Sequence, residues 1–247
     1  MIDKKIFRQY DIRGIVKKQL TKKNAKLIGY YLGKAIVKKT STSNPYVVVG
    51  YDVREHSLML FKGLISGLNA ANCNVLNIGL VATGVNYFAS YQKFKINSKK
   101  IKPSASIMIT GSHNEKQYNG FKITVNNEPF YGEDLIKLYE KIAKNYDKKI
   151  AKNHSFIKVN AKKKYIAFMK KEFKHLKSLD TKFAIDCGNG VANTVLCSIL
   201  DSLDLTYKAI NKKPDGRFPN HHPDPTKKKN LKSLKSLLKG DTKLGFT

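Results

Sequence analysis

The run Tyr46-Val47-Val48-Val49-Gly50 has no polar face. A strand that alternates apolar and polar residues can leave one side in water, whereas a continuous β-branched run must be covered on both sides. Such a strand belongs in the interior of a parallel sheet flanked by helices. The neighbouring residues repeat the demand. Residues 21–37 carry Ala25, Ile28, Leu32, Ala35 and Ile36 at helical spacing, and the helix that opens after the 51–57 loop puts Phe61, Leu64, Ile65 and Leu68 on one face. Residues 74–79 are the next strand candidate and 84–91 a short helix. Strand and helix in alternation predict an α/β fold with right-handed crossovers.

Two further strand signals flank a polar loop. Ala105, Ile107 and Ile109 alternate before it, and Phe121, Ile123 and Val125 after it. Between them Ser112, His113 and Asn114 supply a hydroxyl, an imidazole and an amide, with Gly111 and Gly120 read as residues that let the chain turn. An open α/β sheet keeps its chemistry on loops beyond strand ends, although an ordinary polar hairpin has the same composition. Nearer the start, Arg13 beside Gly14 can offer a guanidinium fork to a phosphate or pair with Asp11. His56 reads as a surface loop histidine without a role.

Residues 131–146 form an amphipathic pattern with Leu135, Leu138, Ile142 and Ala143 on one side. The lysine-rich, weakly periodic stretch 147–164 reads as a linker, followed by a helix over 165–176. A second α/β unit then begins with the strand Lys182-Phe183-Ala184-Ile185-Asp186, the turn Cys187-Gly188-Asn189-Gly190, a helix over 192–203 and a strand over 205–210. Two glycines are a weak phosphate-loop signal, and a tight structural turn is the better default. A proline-rich loop follows at 214–225. Its adjacent His221 and His222 point apart on an extended backbone and make a poor metal pair. A helix over 231–238 and a strand starting at Leu244 complete the pattern.

Charge and cysteine content exclude several classes. The net charge is +29, but of 47 basic residues only Arg8, Arg13, Arg54 and Arg217 are arginine. The lysines are spread over nearly every helix and loop rather than gathered into a stripe, so no specific nucleic-acid partner is expected. No apolar run reaches membrane-spanning length, and the first residues lack the apolar core of a signal peptide. Three cysteines without metal-ligand spacing suggest neither a disulfide framework nor a zinc site. A cytoplasmic address is expected.

Four segments together resemble the α-D-phosphohexomutases, the phosphomannomutase/phosphoglucomutase family of bacterial type. They are Phe7-Arg8-Gln9-Tyr10-Asp11-Ile12-Arg13-Gly14, Thr110-Gly111-Ser112-His113-Asn114 with Tyr118-Asn119-Gly120-Phe121-Lys122, Asp186-Cys187-Gly188-Asn189-Gly190, and Phe218-Pro219-Asn220-His221-His222-Pro223-Asp224-Pro225. They occur in the family's order. The resemblance implies two consecutive three-layer α/β/α domains with mixed sheets, residues 1–150 with the phosphoserine loop and residues 157–247, the second ending before the family's metal-binding loop. It implies that Ser112 becomes a phosphoserine and exchanges its phosphoryl group with a hexose monophosphate of mannose or glucose through a bound 1,6-bisphosphate. Arg13 would hold phosphoryl oxygens, and Lys122 or His113 would carry the sugar proton. Tyr10 and Asn114 would stand on the substrate side. Mg²⁺ would bind a phosphate oxygen on Ser112, its aspartate ligands lying beyond Thr247. Where the family continues with proline after Ser-His-Asn, this chain has Glu115 and Lys116.

The implied partners are the hexose phosphate and a C-terminal half, from another chain if not from this one. Without it the chain is expected to be an inactive N-terminal portion of the enzyme. The alternative is a non-catalytic scaffold that binds sugar phosphates or a protein partner.

Overall fold

Val47, Val48 and Val49 are fully buried, as a strand without a polar face requires. The computed structural model describes residues 1–247, apart from the side chain of Ser178. The first unit runs through β1 (Ile12–Ile15), α1 (Lys22–Thr40), β2 (Tyr46–Tyr51), α2 (Ser57–Ala70), β3 (Asn74–Leu80) and α3 (Thr83–Tyr91). It continues with β4 (Phe94–Ile96), β5 (Lys99–Ile101), β6 (Ala105–Ile109), β7 (Tyr118–Val125), β8 (Glu128–Pro129), α4 (Glu133–Lys144) and β9 (Ile157–Lys158).

The main sheet has the order β1-β7-β6-β2-β3-β9, with β8 on β7 and β4–β5 a separate hairpin. β6, β2, β3 and β9 are parallel, while β7 and β1 are antiparallel to their neighbours, so the sheet is mixed. Alternate residues of the central strands face two apolar layers. Val47, Val49, Ile107, Ile109 and Phe121 pack with α1, α2 and α4. Val48, Leu76, Ile78 and Met108 pack on the α3 side. Each such side chain, once fully buried, contributes roughly 1.5–3 kcal/mol.

Antiparallel closure at one edge depends on Gly120. Gly120 stands opposite Arg13 on β1, and a Cβ there would lie 1.9 Å from the carbonyl oxygen of Ile12. Gly120 is therefore needed for close approach of two strands, not for the sharp turn expected from the sequence. The return strand also starts earlier than its apolar residues, at Tyr118.

The second unit comprises α5 (Ala161–Glu172), β10 (Lys182–Asp186), α6 (Leu196–Ser202), β11 (Tyr207–Ile210), α7 (Lys232–Ser236) and β12 (Thr242–Phe246). Its sheet, β11-β10-β12, is parallel. Phe183, Ile185, Val195 and Ile199 join the same apolar cluster as Val48, Leu76 and Met108. α5 bridges the two units, with Phe88 of α3 against Tyr165 and Phe168.

Local boundaries moved for identifiable reasons. α5 begins four residues before the expected 165 because Asn160 caps it, accepting from the Lys163 amide at 3.0 Å. The helix expected over 192–203 is a 3₁₀ turn at Ala192–Thr194 followed by α6. Thr194 Oγ1 donates to the Val191 carbonyl at 2.7 Å, a local bond that competes with regular helix. The 147–164 stretch is fastened rather than loose. The Ile150 carbonyl accepts from Lys26, the Ser155 carbonyl from Asn69 at 3.0 Å, and Ile157–Lys158 pairs with β3. Backbone pairing of two residues leaves no side-chain period to read.

Gly120→Ala is expected to lose about 2–3 kcal/mol, because the added methyl meets backbone that cannot rotate away. Urea unfolding of the variant against the parent chain measures it.

Candidate functional site

β6 ends in the middle of the sheet, and residues 110–117 carry the chain over to β7. Thr110 N donates to the Gly120 carbonyl at 3.1 Å, and Gly120 pairs with Arg13. The loop's base, β7 and β1 therefore lie side by side. Ser112 is exposed and has φ +51°, a left-handed conformation that costs a residue with a side chain roughly 1–2 kcal/mol. Its amide donates to Thr110 Oγ1 at 2.9 Å. Asn114 closes the turn by donating to the Gly111 carbonyl from both its amide, at 3.1 Å, and its side-chain Nδ2, at 3.0 Å.

What holds this shape comes from the 51–57 loop. Arg54, its side chain 1% exposed, reaches under the turn and donates to four of its carbonyls. Nη1 donates to Glu115 at 2.6 Å and Tyr118 at 3.0 Å; Nη2 donates to Ser112 at 2.9 Å and Asn114 at 2.6 Å. Asp52 completes the set. Its Oδ2 lies 3.3 Å from Arg54 Nε and accepts from the Gly111 amide at 3.1 Å, and its Oδ1 accepts from Ser57 Oγ at 2.7 Å. Burial pulls the Arg54 pKa below its ordinary value while Asp52 opposes the shift. A guanidinium keeps its charge regardless. Gly111 is required here too, since a Cβ would lie 2.1 Å from Arg54 Cζ.

His56 belongs to the same support, which corrects its reading as a surface residue without a role. Asn119 Nδ2 donates to Ser57 Oγ at 2.9 Å and to His56 Nδ1 at 3.1 Å, and His56 Nε2 sits 3.1 Å from the Lys116 carbonyl. An Nδ1 that accepts and an Nε2–H that donates define the neutral ring. Burial lowers the His56 pKa, outweighing the Lys116 carbonyl that favours the charged form.

Of the two contacts considered for Arg13, the structure shows the pair with Asp11. Its Nη2 donates to Asp11 Oδ2 at 2.6 Å, and Lys122 Nζ is 3.5 Å from the same oxygen. Its side chain is 2% exposed, and among the described residues its Nε and Nη1 have no partner. Two cations share one carboxylate, with two buried donors left over. Lys122 pairs with Met108 in register and so stands on the same face as Arg13. His113 is exposed on the loop. Tyr10 does not converge with these groups; it is 70% exposed, its ring stacked on Tyr131 at 6.3 Å.

Sequence reasoning missed Arg54, Asp52, Ser57 and Asn119. One signal was present: where lysine serves nearly every surface position, an arginine marks a site that needs the planar fork.

In the second unit, His221 Nε2 lies 2.9 Å from Asp186 Oδ2, while His222 turns toward a cavity of about 500 Å³ shared with Arg8, His113, Tyr118 and Lys227. The histidines diverge as expected. Gly188 and Asn189 have φ of +54° and +53°, and Asp186 accepts from the Gly188 amide at 2.8 Å, a structural turn. No group of three His, Cys, Asp or Glu among the described residues is placed to hold a metal ion. Mg²⁺ is held by one or two carboxylates together with phosphate oxygens and waters, and the aspartates that the resemblance implies for it beside Ser112 are not among residues 1–247. No helix among the described residues is long and apolar enough to cross a membrane.

Fold and loop define a class: tandem α/β units presenting a serine at a strand end, beside a buried and incompletely paired guanidinium. The family described as phosphoglucomutase/phosphomannomutase, alpha/beta/alpha domain I, matches residues 4–150, and its domain II matches residues 163–246. The chain belongs to that family. It is 35% identical over 235 residues to a phosphomannomutase/phosphoglucomutase of Pseudomonas syringae, covering 95% of this chain and 47% of that protein. It is 34% identical to a phosphoglucomutase of Neisseria meningitidis, covering 99% and 51%. Among solved structures, a phosphoglucomutase/phosphomannomutase family protein of Burkholderia thailandensis superposes with a TM-score of 0.88 at 31% identity, covering 99% and 52%. The chain spans about half the length of the curated relatives it matches.

Arg54→Lys is expected to destabilise the chain by about 2–4 kcal/mol, since an ammonium cannot reach four carbonyls in one plane and buried acceptors go unsatisfied. Urea unfolding measures the loss. The lowered His56 pKa means that the unfolded chain takes up this proton first as the pH falls. The stability His56 contributes is therefore present above about pH 6.5 and is lost progressively below it. Stability measured against pH should fall more steeply below that value in the parent chain than in His56→Gln.

Proposed function

We propose that this chain carries the phosphoryl-transfer site of a phosphohexomutase that interconverts the 6- and 1-phosphates of mannose or glucose. The relatives in Pseudomonas syringae and Neisseria meningitidis, a phosphomannomutase/phosphoglucomutase and a phosphoglucomutase, support the reaction class. The observation that carries the residue assignment is Arg13, a buried guanidinium with two donors free beside the Ser112 loop. A buried donor without a partner costs free energy that an anionic oxygen would recover. Phosphoryl transfer consists mainly of positioning and charge stabilisation, which matches a serine held by backbone and flanked by cations.

In this reading phosphorylated Ser112 faces a hexose monophosphate. The bond from phosphorus to Ser112 Oγ breaks as the bond to the sugar hydroxyl oxygen forms, and the hydroxyl proton passes to the protein. Arg13 holds the equatorial oxygens. Lys122, on the same face as Arg13, takes and returns the proton when its amine is unprotonated; His113 as the neutral imidazole, next to the serine and exposed, is the second group able to do so. The 1,6-bisphosphate turns over and gives its other phosphoryl group back to Ser112 by the reverse step. Asn114 keeps the turn closed, and Tyr10 offers an aromatic face at the rim. Complete turnover is expected to need a C-terminal half like that of the relatives, in the same polypeptide or from another chain, to read the sugar and hold its distal phosphate.

Incubating the chain with glucose 1,6-bisphosphate should leave one phosphoryl group on Ser112, seen by intact mass and peptide mapping. Ser112→Ala should abolish the adduct, and Arg13→Lys should slow its formation about tenfold or more, as expected for loss of a bidentate phosphate contact. A phosphoryl adduct that persists in Ser112→Ala would refute the assignment.

A further inference from the structure

The residue that shapes the serine loop is itself covered from the second unit. The Phe218 ring lies with its centroid 5.3 Å from Arg54 Cζ. Two residues earlier, Gly216 passes so close to the 51–57 loop that a Cβ would meet Val53 O at 2.4 Å and Arg54 Cα at 2.9 Å. Phe218 has φ +51°, a conformation that a bulky residue keeps only where its surroundings impose it.

The turn that presents Phe218 is tied to its own unit. Asp215 N donates to the Asn189 carbonyl at 2.9 Å, and Phe218 N donates to the Asp215 carbonyl at 3.0 Å. Arg217 clamps Asp215 from Nε at 2.9 Å and from Nη2 at 2.6 Å. Beyond Phe218, a cavity of about 330 Å³ separates His222 and Pro223 from Glu115, Lys116 and Gln117 on the serine loop. A physical chain thus runs from the β10 turn through Asp215, Phe218 and Arg54 to Ser112. Each link is a hydrogen bond or a ring contact.

We propose that Phe218 is a positioning residue for the Ser112 loop, acting through Arg54. The ring shields the guanidinium from water and adds a cation–π contact, which strengthens the four hydrogen bonds that fix the loop. The second unit, which contributes no atom to the serine itself, would in this way set the geometry of the nucleophile. The catalytic consequence rests on the reading of Ser112 as the phosphoryl carrier, whereas the effect on loop geometry does not.

The test separates the two. Hydrogen exchange is measured at the amides of residues 110–118 in the 247-residue chain, in Phe218→Ala and in Phe218→Tyr. Gly111, Ser112, Asn114 and Tyr118 all donate bonds within the network, so their exchange reports its opening. Exchange there should rise about tenfold in Phe218→Ala, with β2 and β6 unchanged, and return near the parent rate in Phe218→Tyr. Gly216→Ala, which wedges the two loops apart, should reproduce the loss. Unchanged exchange at 110–118 in Phe218→Ala, or equal acceleration throughout β2 and β6, would overturn the proposal. In single-turnover transfer from glucose 1,6-bisphosphate, Phe218→Ala should slow the rate about tenfold at an unchanged half-saturating concentration; an unaltered rate also overturns it. If the parent Ser112 accepts no phosphoryl group while the exchange pattern is as expected, the phosphoserine reading fails and the positioning role stands.

Discussion

Burying the Arg54 guanidinium is the constraint that the site is built around. Taking such a charge out of water costs several kcal/mol, repaid only by good geometry and by hydrogen bonds on every face. Asp52 supplies the countercharge 3.3 Å from Nε, which among the described residues has no hydrogen-bond partner, and four carbonyls of the 112–118 turn take Nη1 and Nη2. The dependence is mutual. Without Arg54 the turn would lose the donor its four carbonyls share, leaving Glu115 only the Tyr118 amide, and without the turn Arg54 would be a buried cation with a single partner. Ser112 can stay in a left-handed conformation because both of its backbone bonds are supplied by this network.

The sheet explains why the network forms where it does. β2 and β6 are parallel neighbours, so the loops beyond their C-terminal ends emerge together. One brings Asp52 and Arg54, the other Ser112. The antiparallel return through β7 then brings Lys122 and Gly120 beside Arg13 on β1. A mixed sheet thereby places Ser112, Arg13 and Lys122 from three separate segments at one end, which is the usual site of chemistry in an open α/β sheet.

Much of this was legible in the residues. The β-branched run of β2 demanded cover on both faces and received it, and the apolar spacing of Ala25, Ile28, Leu32 and Ile36 marked a helix that Thr21 caps. Ser112, His113 and Asn114 stood out as a chemical loop between two strands. Elements whose hold comes from backbone were harder to see. β9 is two residues of pairing inside a lysine-rich stretch, and the capping Asn160 lies within the same stretch. Gly111 and Gly120 were recognised as special for the wrong reason. Their glycine character answers to the proximity of Arg54 and Ile12, not to torsion.

By itself, the sequence determined the alternation of elements, the faces they bury and the chemical identity of the loop, because these depend on side-chain type and short-range period. Tertiary structure alone decided that Arg54 carries the loop, that His56 is part of its support and that Phe218 reaches across from the second unit. The physical reason lies in what is being recognised. Arg54 reads backbone carbonyls some sixty positions away, and every residue has a carbonyl, so the contact leaves no pattern in the amino acids that accept it.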